Sequence, residues 1–189
     1  LARLPLTLGL EASARAAWLI ADQASIERGL REIQARPIAA VRIRGHGHLD
    51  LGQVLHVGDD FVVVNFEGEP ARPLSARRYK RSPLRDVGGM LGSLEEVAAA
   101  AVASSQFRAR DRDALTPWAA AWRGWMAATF LGAYHARAGA LVPARADDRR
   151  VLLDFYARER ALAAICAALA HDRDRLPAAL LGADVLAPG

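Results

Sequence analysis

Residues 42 to 86 read RIRGHGHLDLGQVLHVGDDFVVVNFEGEPARPLSARRYKRSPLRD, and most side chains able to do chemistry lie in this stretch. His46, His48 and Asp50 alternate directly after an apolar run, with Gln53 three residues later and Asn65 beyond two further apolar runs. Two imidazoles and a carboxylate at that spacing can gather around zinc or iron. Phosphoryl transfer would use the stretch differently. It needs a base for the acceptor hydroxyl, a metal ligand five residues on, and a second metal ligand brought back across a hairpin. His48 and Gln53 have that spacing of five, and Asn65 stands where the second ligand is expected.

These residues need a hairpin between flanking helices, and the patterning supplies one. Three short apolar runs, 41–43, 53–57 and 61–66, predict strands, with Gly58-Asp59-Asp60 as the turn between the last two. Phe61-Val62-Val63-Val64 is a continuous apolar run, which predicts burial on both faces. Upstream, Ala14, Ala17, Trp18, Ala21, Ile26, Leu30 and Ile33 follow helical spacing over 11–35, and Pro37 ends that helix. Downstream, a helix over 86–103 presents Val87, Met90, Leu91, Leu94 and Val97. Thr116-Pro117 predicts a helix start, with Thr116 as N-cap and Pro117 in the first turn. Trp118, Trp122 and Trp125 then share one face, read as core rather than as a sugar-stacking platform. A helix over 147–170 and a short one within 176–186 complete the chain. The expected fold is mainly α with a small β-hairpin. The expected organisation is one domain over 1–189: a leading helix (1–36), the loop and hairpin region (37–86) and a helical subdomain (87–189).

Composition agrees with a globular chain. Of 189 residues, 52% are hydrophobic and 24% charged, enough to bury a core. The lone Cys166 excludes a disulfide framework and is read as inert core. No apolar run is long enough for a membrane span, and nothing near Leu1 reads as a signal peptide, so a cytoplasmic fragment is expected. The net charge of +4 invites nucleic acid, but among the basic residues only Lys80 is lysine. The rest are arginines in an alanine-rich chain, which GC-rich coding alone produces. The densest basic run, 72–85, carries a single aromatic, Tyr79, and makes a poor single-strand platform. His135 and His171 lie near predicted helix ends, where a positive charge is favourable.

Two resemblances sharpen the readings. His46-x-His48-x-Asp50 resembles the opening of the metallo-β-lactamase signature, but Leu51 stands where that signature has its next histidine. More extensively, His46-Gly47, the run Leu51-Gly52-Gln53-Val54-Leu55, residues 66–74, residues 82–87 and Gly89-Met90-Leu91 are similar to maltokinase, with weaker similarity through residues 130–134 and 159–162. The resemblance implies the carboxy-terminal lobe of an aminoglycoside-phosphotransferase-like, protein-kinase-like fold. It implies ATP and Mg²⁺ as cofactors, maltose or a related glucan as substrate, and trehalose synthase as a partner. It places the catalytic base at His48, metal and cofactor ligands at Gln53 and Asn65, and sugar-pocket residues at Arg85 and Asp86.

The departures carry chemistry. His48 stands where the family has its catalytic aspartate, and Asp50 where the family has histidine, as if the two had exchanged places. Asn65 replaces a metal-binding aspartate. A neutral imidazole can accept a proton but lacks the carboxylate's charge, which Asp50 is expected to offer as the second catalytic residue, displaced by two residues along the turn, and Asn offers Mg²⁺ only a neutral carbonyl. Nothing before residue 41 reads as a strand-rich lobe or a phosphate-binding glycine loop. Three readings follow: a maltokinase-like lobe with impaired chemistry, a non-catalytic pseudokinase module that binds sugar or a protein partner, and a metal-dependent hydrolase built on His46, His48 and Asp50. Turnover, sugar binding without turnover, and bound metal separate them.

Overall fold

The computed structural model describes residues 8–69, 72–103, 106 and 108–186. Seven α-helices are present among them: α1 (Leu10–Ala21), α2 (Gln23–Ala35), α3 (Leu74–Arg77), α4 (Leu84–Ala103), α5 (Ala109–Ala138), α6 (Ala146–His171) and α7 (Leu176–Leu181). Two strands, β1 (Val54–Val57) and β2 (Asp60–Val63), form one antiparallel hairpin in which Val54 faces Val63 and Val57 faces Asp60. The mainly helical fold with one hairpin is as the residue pattern predicts.

The chain divides into two compact units, residues 1–38 with 154–189 and residues 39–153. In the first, Ala12, Ala16 and Leu19 of α1 and Ile26 of α2 share a core with Ala161, Ile165, Leu176 and Leu180. Leu176 and Leu180 are fully buried. Small alanines at four-residue spacing let helices approach closely, and the leucines fill the space between. The predicted leading helix is two helices, because Asp22 breaks the run with φ −100° and ψ 12°. Aspartate competes with the helical backbone for hydrogen bonds. α2 ends two residues before Pro37, as expected.

In the second unit, α4 packs on α5, and Arg123 pairs with Glu95 at 2.7 Å. Leu84, Val87, Met90, Leu94 and Ala98 are the buried face of α4, whereas Val97 is exposed. The apolar stripe is therefore turned slightly from the predicted one. Three other expectations fail here. The 41–43 run forms only an isolated bridge, Ile43 with Arg81, rather than a strand. α5 starts at Ala109 and carries Pro117 inside it, while the Thr116 hydroxyl donates to the Arg112 carbonyl at 2.9 Å rather than capping. The first two turns of α5 lack apolar periodicity, so pattern reading misses them. Trp118 and Trp125 are each 76% exposed and are not core.

The hairpin is also exposed. Phe61, Val62 and Val63 all face solvent, contrary to the expected two-sided burial. A two-stranded ribbon has no third strand or second layer to cover it, and none of the described residues does so. Cys166 is exposed rather than core. No helix among the described residues is long and apolar enough to cross a membrane.

Candidate functional site

The chemistry-bearing loop is clasped from below by the start of α4. Asp86, in the first turn of α4, accepts the His46 N–H at 2.7 Å on one carboxylate oxygen and the Gly47 N–H at 2.8 Å on the other. Position 45 must be glycine for this approach, since a Cβ there would lie 2.4 Å from the Asp86 carboxylate. Arg85 adds a second clasp by donating to the Gly47 carbonyl at 2.7 Å, and its guanidinium lies 3.6 Å from Glu69. Charge-assisted bonds of this kind are about twice as strong as neutral ones.

His46 ties the loop to the far end of the hairpin. Its ring is buried, with Nε2 2.7 Å from the Val64 carbonyl, and Nδ1 accepts the His48 N–H at 3.3 Å. Together these bonds place the proton on Nε2 and occupy both ring nitrogens. The ring also packs against Phe66 at 5.0 Å. His46 thus has no lone pair left for a metal, and no group of three His, Cys, Asp or Glu among the described residues can hold one. This overturns the hydrolase reading built on His46, His48 and Asp50.

The next residues turn through a short 3₁₀ segment, Leu51–Gln53. Buried Ser93 of α4 fixes its entry by accepting the Leu51 N–H at 3.1 Å. His48 and Asp50 face one another, with Nε2 3.9 Å from the carboxylate. Gln53 and Asn65 meet across the hairpin. The Val64 N–H donates to the Gln53 carbonyl at 2.9 Å, and the Asn65 side-chain amide donates to Gln53 Oε1 at 2.7 Å. Asn65 has φ 62° and is the sole non-glycine residue in that region among the described residues. Asparagine tolerates left-handed backbone better than most residues. The strained turn aims its amide at Gln53.

Arg85 and Asp86 are therefore braces of the loop, with both Asp86 oxygens engaged by loop amides. Sequence reading missed Ser93, whose hydroxyl lies on the apolar face of α4 between Met90 and Leu94. A lone polar residue in that stripe was the available signal. It also missed Tyr134 of α5, whose hydroxyl pKa is raised by burial and, secondarily, by the Asp86 charge.

The pair Gln53–Asn65 is a poor Mg²⁺ site as it stands. Both side chains are neutral, and the Gln53 oxygen already accepts from its partner. Mg²⁺ prefers anionic oxygens.

No family model matches the chain. Glucosamine kinase of Mycolicibacterium smegmatis is 38% identical over 77 residues, 41% of this chain and 18% of that protein. Glucosamine kinase of Streptacidiphilus jiangxiensis is 34% identical over 118 residues, 60% of this chain and 25% of that protein. A crystal structure of glucosamine kinase superposes with a TM-score of 0.65 at 21% identity, over 94% of this chain and 47% of that one. The fold is shared with glucosamine kinase. A second structure of that enzyme, in complex with glucosamine, ADP and inorganic phosphate, superposes with the same TM-score over 46% of its length. The chain thus spans about half the length of glucosamine kinase, and the kinase-like sugar-kinase fold expected from the maltokinase resemblance holds at that coarser level.

Proposed function

We propose that this chain is the carboxy-terminal lobe of a sugar kinase of the glucosamine-kinase kind, able to bind a hexose but impaired in phosphoryl transfer. The observation that carries the reading is the Asn65–Gln53 amide pair, set across the hairpin at 2.7 Å, where the maltokinase resemblance puts two metal ligands. The loop scaffold is intact: Asp86, Arg85 and His46 hold residues 46–48 in place. The charges that phosphoryl transfer needs are altered. His48 and Asn65 stand where the resemblance puts carboxylates, and a nucleotide–Mg²⁺ site built on neutral amides would hold its phosphates weakly.

Glucosamine is the first substrate candidate, because the two curated relatives named above are glucosamine kinases. Maltose, the finer substrate implied by the maltokinase resemblance, and trehalose synthase as a partner find no counterpart in those relatives. The test combines calorimetric titration of the chain with glucosamine and with maltose, and ADP release with ATP and Mg²⁺. The expected result is saturable glucosamine binding with turnover orders of magnitude below a working kinase. ADP release at an ordinary rate of ~1–100 s⁻¹ would overturn the impairment. Failure of both sugars to bind would overturn the sugar-binding role.

A further inference from the structure

The tryptophans of α5 serve neither the core nor the candidate site. Trp118, Trp122 and Trp125 fall within about 60° of one another around the helix, and all three are exposed. Thr129, Gly132 and Ala136 continue the same face toward the carboxy-terminal end and are exposed as well. The opposite face packs on α4, where Arg123 pairs with Glu95. Every exposed residue of α5 between Ala114 and Ala136 is uncharged. Three tryptophans grouped in this way are not the scattered apolar residues that any surface carries. A sugar would need several polar groups between the rings. On this face, apart from the indole N–H groups, only Thr129 offers a hydrogen bond. An uncharged protein surface fits better. Gly132 points the same way. A Cβ there would meet nothing within 4 Å, so packing within the chain does not call for glycine. Glycine inside a helix costs about 1 kcal/mol relative to alanine. Close approach by a second molecule gives the position a use.

We infer that this face of α5 is an antiparallel two-fold interface between two copies of the chain. Bulk declines along it, from three tryptophans to threonine, glycine and alanine, and an antiparallel copy inverts that gradient. The two-fold pairs Trp118 with Ala136, Trp122 with Gly132 and Trp125 with Thr129, and all three pairs share one midpoint, Ala127. Large against small at every level is the self-complementarity that a closed dimer requires. Two such faces, each about 27 Å long and a helix diameter wide, bury on the order of 1,000 Å² together, the lower limit for a specific interface. Tryptophan is the residue most often found to carry the binding energy of such a patch. The inference needs neither sugar binding nor turnover, so it stands apart from the proposed function.

The test is sedimentation equilibrium of the full chain across concentrations from about 1 μM to 1 mM. The expected result is a monomer–dimer equilibrium with a Kd of about 1–100 μM. Trp118→Glu and Ala136→Lys should each weaken it at least about tenfold. Both positions are exposed, and far-UV circular dichroism checks that each variant folds. Should Trp118→Glu fail to fold, Trp118→Ala tests the same contact. Mixed in equal amounts, the two charged variants should recover a dimer. The antiparallel arrangement sets the new carboxylate beside the new ammonium at one end and keeps Trp118 against Ala136 at the other. A monomer throughout, a dimer indifferent to both variants, or no recovery on mixing would overturn the proposal. So would a chain that stays monomeric while a linear glucan oligosaccharide quenches its tryptophan fluorescence, which would make the face a sugar-stacking platform.

Discussion

Asn65 shows how much one side chain decides. Its amide donates to Gln53, and an aspartate at the same position would set an anionic oxygen against Gln53 Oε1. Asn65→Asp is therefore expected to lower Tm in EDTA and to regain it with Mg²⁺, because a cation between the two oxygens converts repulsion into ligation. The native chain should show little Mg²⁺ dependence in the same melts. Gly45→Ala forces a methyl group into the Asp86 carboxylate and should cost on the order of 1–3 kcal/mol in urea unfolding. Tyr134 gives a pH test. Its pKa is raised in the folded state, so above the ordinary value of 10.0 the unfolded chain gives up this proton first. The native chain binds more protons in that window, and stability falls as pH rises through it. Tyr134→Phe should flatten this alkaline decline relative to the native chain, as read by denaturation from pH 9 to 11.

At the scale of elements, the sequence was most legible where periodicity and caps agree. α6 and the 176–186 tail stand within a residue or so of their predicted bounds, and the Gly58-Asp59-Asp60 turn forms the hairpin as read. Two of the failures share one cause: exposure cannot be read from apolar content. Phe61-Val62-Val63 looks like a core strand, yet the same residues on a lone ribbon lie open. The tryptophans of α5 mislead in the same way. Pro117 misled through local logic, since Thr-Pro is a helix start unless the preceding turns are helical already. Pro117→Ala should stabilise α5 by about 2–3 kcal/mol, measured by urea unfolding, because proline inside a helix removes a backbone bond and clashes with the preceding turn. The site itself was partly legible. Gln53 and Asn65 meet as the hairpin spacing implies, whereas the role of Asp86 as a clasp was hidden, because backbone amides leave no trace in side-chain patterns.

For the molecule as a whole, the two compact units carry different duties. Residues 39–153 hold every side chain of the candidate site, and the unit of 1–38 with 154–189 holds the leucine and alanine core described above. Leu180→Ala, in that core, should cost about 2–5 kcal/mol in unfolding free energy. The clasp on the loop of residues 46–48 has a final consequence. Its bonds run through the backbone of 46 and 47, the ring of His46 and the carboxylate of Asp86. None uses the side chain of His48, Asp50 or Asn65. The side chains at 48 and 50 can therefore change identity while the clasp keeps its bonds, whereas position 65 is confined to the few residues, asparagine, aspartate and glycine foremost, that accept its left-handed backbone.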